Sequence, residues 1–277
     1  MKIFGVDFTS APRPQKPIVC AACSLHAACL QVDELLTFAS FEGFEGFLRF
    51  SAPWVAACDF PFGLPRKLLD NLSWSPRWPE YVSYVASLGK TAFEASLLEY
   101  QSERLPGDKL HLRQVDALAG AISPMMLYRV PVAKMFFQGA PRLLASGASI
   151  LPTFPRPSDR ILLEGYPSLL ARRYAGRLSY KTDTRSLQTP LQTQTRRQII
   201  AGICSLALQR DYAVELQIPD PILARLEADG SGDSLDAVLC AIQAAWAASR
   251  IQGDYGIPEG CDVAEGWIVD PALNPVG

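Results

Sequence analysis

MKIFGVDFTSAPRPQKPIVCAACSLHAACLQVDELLTFASFEGFEGFLRFSAPWVAACDF, residues 1–60, is the stretch on which the fold turns. KIFGVDF, PIVCAACSL and ACLQVDELLTF are short runs rich in Ile, Val, Phe and Leu, separated by proline-rich or small-residue connections, and they predict three strands joined by hairpins. In FEGFEGFLRF the residues Phe44, Phe47 and Leu48 stand at helical spacing and predict a short helix, although Gly43 and Gly46 weaken it. WVAACDF then reads as a short buried strand, ended by Pro61 and the turn PFGLP.

Downstream, residues from about 66 to 150 predict a mainly helical insertion, with Phe93, Leu97 and Tyr100 at i, i+4 and i+7. Trp74, Trp78, Tyr81 and Tyr84 in this segment are either core or platforms for stacked bases. RILLEGYP (160–167) restores a strand. Thr189 and Pro190 mark the N-cap and first turn of a helix expected to run to about Arg210. The final helix is GDSLDAVLCAIQAAWAASR (232–250), with an apolar stripe of Leu235, Val238, Leu239, Ile242 and Trp246, and Glu265-Gly-Trp-Ile-Val suggests a last short strand. Three strands, a helix, a fourth strand and then alternating helices and strands is the order of an RNase H-like α/β fold. That fold is a mixed sheet with helices on both faces, here a single domain over residues 1–277.

The chain's 277 residues are 49% apolar and 19% charged with a formal net charge of −2, so a sizeable core is expected and a strongly basic duplex-binding domain is not. Its seven scattered cysteines lie partly inside apolar runs and read as reduced thiols rather than a disulfide framework. Asp7 interrupts what a signal peptide would need as an apolar core, and Arg129, Lys134 and Arg142 break the apolar stretch 115–151, so the expectation is a soluble cytoplasmic protein without a membrane span. Cys20, Cys23, His26 and Cys29 recur every three residues, but on a strand that spacing points alternate residues to opposite faces and makes a poor zinc site.

The acids carry the chemistry. Asp7 and Asp59 each close an apolar strand, where a carboxylate must be paired, hydrogen-bonded or bound to a cation. Asp233 and Asp236, three apart, open the last helix. Singly, each has a structural reading: Asp7 accepting from the Thr9-Ser10 loop, Asp59 capping the PFGLP turn, Asp233 as N-cap and Asp236 favoured by the helix dipole. Together they suit a hard cation, Mg²⁺ or Mn²⁺, in a one- or two-ion site for phosphodiester cleavage. Glu164 in LLEGYPS is a fifth acid at a strand end: an added ligand, a base or a hydrogen-bonded structural carboxylate. Arg113 beside Asp116, and Lys181, Arg185, Arg196 and Arg197, are candidates for holding phosphate, or else a solvated face.

GVDFTSAP, ACDFPFGLP, LLEGYPS and DSLDAVLCA, in this order and spanning nearly the whole chain, resemble DUF429, a bacterial and archaeal domain-of-unknown-function family described as predicted RNase H-like nucleases. The layout is also similar to that of RuvC-type Holliday-junction resolvases, with acids on the first strand, the fourth strand and a D-x-x-D helix. The resemblance implies that Asp7, Asp59, Asp233 and Asp236 are metal ligands of a divalent-metal-dependent nuclease acting on nucleic acid or a nucleotide. The slightly acidic chain departs from the basic face usual in resolvases. Two other functions remain open: a nucleotide-binding phosphotransferase or ATPase-like protein of the same core, whose usual glycine-rich phosphate loops are not evident here, and a catalytically silent binding module.

Overall fold

In the computed structural model, which describes residues 1–273, the expected strands β1 (Lys2–Asp7), β2 (Ile18–His26) and β3 (Cys29–Phe38) form an antiparallel meander. Helix α1 (Phe41–Leu48), capped by the Ser40 hydroxyl accepting from the Gly43 N–H, leads to β4 (Trp54–Asp59), which pairs parallel to β1. The insertion folds as α2 (Arg66–Asn71), α3 (Trp78–Ser102), α4 (Gln114–Ala119) and α5 (Val132–Ala145), and returns through the edge strand β5 (Ser149–Ile150) to β6 (Arg160–Glu164). The chain continues with α6 (Ser168–Ala175), α7 (Pro190–Ile203), α8 (Leu206–Tyr212), β7 (Glu215–Gln217), α9 (Asp220–Ala228) and α10 (Asp233–Ala248). The open seven-stranded sheet has the order β5-β6-β4-β1-β2-β3-β7, a mixed topology that fits an RNase H-like α/β fold.

Strand alternation divides the core in two. Ile3 of β1, Val19 and Ala21 of β2 and Val55 and Ala57 of β4 face α10 and the helices around it. Phe4, Val6, Trp54, Ala56 and Cys58 face α1 and the insertion. Asp7 and Asp59, directly paired in the parallel register of β1 and β4, share the parity of Ile3 and Val55 and so point toward α10. The same alternation puts Cys20 and Cys23 in opposite cores and excludes the zinc arrangement.

Several local expectations are revised. All sixteen residues of α10 are buried, not one stripe, because the sheet covers one side and α6, α8 and α9 the other. The helix starting at the Thr189–Gln192 capping box stops at Ile203, and Ser205 caps a separate α8 by accepting from Ala207 N–H. The C-terminal segment forms no full strand: Ile268 makes an isolated parallel bridge with Glu164, where β6 ends, just after Gly266 turns through a left-handed φ of 80°. Trp78 and Tyr81 are core residues that donate to the carbonyls of Phe62 (2.6 Å) and Ala264 (2.7 Å), whereas Trp74 packs edge-on against Tyr84, which is 46% exposed. Phe93, Leu97 and Tyr100 are buried as their spacing predicts. No helix among the described residues is long and apolar enough to cross a membrane.

The seating of α10 on the sheet depends on Gly5. A Cβ there would lie 2.0 Å from the Ala237 carbonyl oxygen and 2.1 Å from the Ala241 nitrogen, so only hydrogen lets the helix backbone approach β1 this closely. Gly5→Ala is expected to destabilise the protein by about 1–3 kcal/mol or more, through overpacking against backbone that cannot move aside. Gly46→Ala, at a helical position with no atom within 4 Å, is expected to gain up to about 1 kcal/mol. Urea unfolding of the two variants checks the pair.

Candidate metal centre

Asp7, Asp59 and Asp236 each offer a carboxylate oxygen lying within 4.8 Å of the others, a group able to hold a metal ion. Three unconnected elements supply them: the C-terminal ends of β1 and β4, adjacent in the sheet, and the first turn of α10 above. Asp7 is 6% exposed and Asp236 0%. Among the described residues, neither Asp7 nor Asp59 makes a side-chain hydrogen bond or ion pair, so the expected structural roles for them are not realised. The turn that Asp59 was a candidate to cap is instead held by Glu164, whose Oε2 accepts from Phe62 N–H at 2.8 Å. The cap of α10 is likewise supplied from elsewhere: Asp229 accepts from the backbone N–H groups of Ser231 and Ser234, leaving Asp233 and Asp236 without a capping duty.

Asp233 stands beside the triad and not in it. Three residues on a helix advance about 4.5 Å and rotate about 60° short of a full turn. That offset carries the Asp233 carboxylate to Lys16, with which it pairs at 2.7 Å, while Asp236 faces the strand ends. Lys16 also holds Asp183 at 2.5 Å. Asp236 accepts from the Tyr180 hydroxyl at 2.5 Å and pairs with the Lys181 ammonium. The Lys181 stem packs where Gly232, at φ 77°, lacks a side chain. Lys16 in the PRPQKP loop and Tyr180 carry no local sequence signal, because their partners lie 217 and 56 residues away.

Other sequence-derived candidates are already occupied. Glu164 shares the parity of Leu162, on the face away from Asp59, and its carboxylate is gripped by Arg113 at 2.6 and 2.8 Å. Arg113 is 2% exposed, also binds both oxygens of Asp116, and donates to the Glu265 carbonyl. It ties the insertion to β6 and the C-terminal segment and has no face left for phosphate. Arg196 is similarly committed, donating to the carbonyls of Tyr180 (2.7 Å) and Glu227 (3.1 Å), which fixes the segment presenting Lys181. Arg197 pairs with Glu227 at the surface. Arg185 is exposed on a 3₁₀ turn without a side-chain partner among the described residues. Of the basic candidates, only Lys181 reaches the acids.

Two clefts open at this centre. One, about 260 Å³, is bounded by Phe60, Ile122, Val130, Met135, Tyr166 and Ile268 and reaches Asp59 and Lys181. The other, about 510 Å³, contains Asp7, Asp59 and Asp233 with Arg13, Lys16, Arg129 and Lys181. The insertion therefore contributes a wall, residues 121–135, beside the acids, while the body of its helices packs on the opposite face of the sheet. No protein-family model, curated protein or solved structure matches the chain.

Burial, followed by repulsion from Asp233, Asp236 and Asp59, pushes the Asp7 carboxyl well above its ordinary value, against the pull of Lys181. Burial raises Asp59 to about 7, with Asp236 and Glu164 adding to it and Lys181 opposing. Burial acts to lower Lys181, but Asp236 and the other acids outweigh it and hold the ammonium well above its usual range. A carboxyl raised on folding stabilises the protein below its unfolded value, and this contribution is lost as pH climbs through the folded value. For Asp59 the window runs from about 4 to about 7. In chelator, the Tm of wild type relative to Asp59→Asn is expected to fall across this window. Stabilisation by Mn²⁺ is expected to grow over the same range, and scanning calorimetry with and without the ion checks both slopes.

Proposed function

We propose that the protein is a divalent-cation-dependent phosphodiesterase of nuclease type, acting on nucleic acid or a nucleotide. One observation carries this reading: a nearly fully buried Asp7 carboxylate without a protein partner, its oxygen within 4.8 Å of those of Asp59 and Asp236. Three carboxylates this close in a partly buried site cannot all ionise without strong repulsion, and a hard cation resolves that repulsion in a way the nearby lysines do only in part. The all-oxygen donor set suits Mg²⁺ or Mn²⁺. Asp7, Asp59 and Asp236 would hold such an ion, and Asp233, on exchange of its Lys16 partner, would be a ligand for a second. Such ions supply an activated water and a counter-charge for the leaving oxygen.

The chain's own groups support phosphoryl chemistry around that centre. Tyr180, donating to one oxygen of Asp236, fixes the carboxylate so that its other oxygen is the one free to change partner. Lys181 neutralises Asp236 when no cation is bound, and on exchange its ammonium stands beside the acids, ready to meet a phosphate. Arg13, Lys16 and Arg129 add local positive charge along the same cleft in a chain that is slightly acidic overall. The motif resemblance to DUF429 and the resolvases points the same way.

Asp236→Asn separates this role from a helix-dipole one. Loss of a dipole contact would lower stability by up to about 1 kcal/mol and leave other properties intact. As a ligand, its loss is expected to weaken Mn²⁺ binding and phosphodiesterase activity about 100-fold or more, the scale of a lost catalytic electrostatic contact, while the metal-free protein also loses stability because Lys181 is left without its buried partner. Thermal unfolding of both proteins with and without Mn²⁺, beside cleavage assays on DNA, RNA and nucleotide phosphodiesters, gives the answer. No Mn²⁺ stabilisation of wild type together with no cleavage would leave the binding-module reading in its place.

A further inference from the structure

The two clefts differ in chemistry and meet at the acids. Asp59, Val130, Met135 and Lys181 border both. The smaller is a slot with mainly apolar walls, Ile122, Val130, Met135 and the half-buried Tyr166 among them, beside the mutually paired Arg113, Asp116 and Glu164, while the larger carries the cations Arg13, Lys16 and Arg129 beside Asp7, Asp183 and Asp233. A nucleotide has the same division: a flat ring that gains from apolar and aromatic walls, and an anionic phosphate beside it. On the reading of the site as a phosphodiesterase centre, we infer that the substrate class is an unpaired nucleotide, free or within a single strand, with its base in the slot and its phosphate over the acids.

Two further observations favour an unpaired base. A slot of about 260 Å³ is smaller than the ~300–1,000 Å³ clefts that take drug-sized ligands, and a paired base would enter only by leaving its stack, at a cost of a few kcal/mol. The charge pattern agrees. Duplex binding draws on a long run of phosphate contacts, whereas this chain has a net charge of −2 and the larger cleft offers two arginines without an ion-pair partner among the described residues, Arg13 and Arg129, enough for one or two phosphates. At the border of the clefts, Arg129 holds a left-handed φ of 61° between the exposed Tyr128 and Val130, and its side chain has no hydrogen-bond or ion-pair partner among the described residues. That conformation costs an L-residue on the order of 1–2 kcal/mol, and here it goes with an arginine that is free to contact phosphate.

The test uses the intact chain in Ca²⁺, to follow binding without relying on turnover. Single-stranded DNA, single-stranded RNA and duplex DNA of one sequence are titrated by fluorescence anisotropy, and mononucleotides by calorimetry. Two variants alter the slot from exposed positions: Val130→Trp, at 48% exposure, narrows it by bulk, and Ile122→Asp, at 42%, places charge in its wall. The expected result is single strands bound at least about tenfold more tightly than duplex, and a further loss of about tenfold or more in each variant, the scale of one base-stacking contact. Mn²⁺ stabilisation of the fold is expected to be unchanged in both variants. Equal affinity for duplex and single strands, no effect of either variant, or no binding of any probe would overturn the inference. Of these, intact Mn²⁺ stabilisation and cleavage would leave the phosphodiesterase reading standing, whereas their absence in wild type would remove both.

Discussion

The closeness of α10 to β1 at Gly5 is the constraint on which the rest depends. Small residues on both surfaces, Gly5, Ala21 and Ala57 on the sheet and Ala237, Cys240 and Ala241 on the helix, bring backbone to within reach of backbone. The helix so seated is covered from behind by α6, α8 and α9 and becomes the central element of one core. Its first turn is thereby delivered to the ends of β1 and β4. A larger residue at position 5 would lift the helix and separate Asp236 from its two partners, so the packing of the core and the geometry of the acids are one feature.

The acids around Arg113 and those at the strand ends differ in satisfaction. Around Arg113 every carboxylate has its donors: Asp116 and Glu164 are held by the guanidinium, and Glu164 also accepts from Phe62 N–H. Such a group is a joint, fixing the insertion to the sheet. At the strand ends, Asp7 and Asp59 have no donors, Asp236 has Tyr180 and Lys181, and the carboxyls of Asp7 and Asp59 are forced upward. Carboxyls without donors and with raised protonation ranges are the ones able to take a cation, and the contrast within one chain separates acids already satisfied by protein from acids that are not.

The insertion serves both ends of this design. Its helices fill the sheet face away from α10, where Trp78, Tyr81, Phe93 and Phe136 form the second core. Its 121–135 stretch comes round the strand ends to wall the slot beside Asp59. A long connection leaving directly after the strand end that carries Asp59 is well placed to do so.

The sequence by itself determined the features governed by local periodicity. The β-β-β-α-β order of residues 1–60, the placing of Asp7 and Asp59 at the ends of two strands, the Thr189 N-cap with Pro190 after it and the D-x-x-D opening of α10 all follow from side-chain spacing within a few residues. Parity already made the cysteine series a poor zinc site. What depended on register or distant pairing was decided only by the tertiary structure. Glu164 falls opposite Cys58 and so faces away from Asp59, a one-residue matter of how β6 aligns on β4. Asp233 and Asp236 part company through helical rotation once Lys16 and the strand ends lie on different sides of the first turn. Arg113 and Arg196 look like free cations in the sequence and are buried joints in the fold, while Lys16, inconspicuous in its loop, becomes a partner of the site. Local residues set the direction in which a side chain points; only the packed chain sets what it meets there, because charge pairing acts through space and takes no account of separation along the sequence.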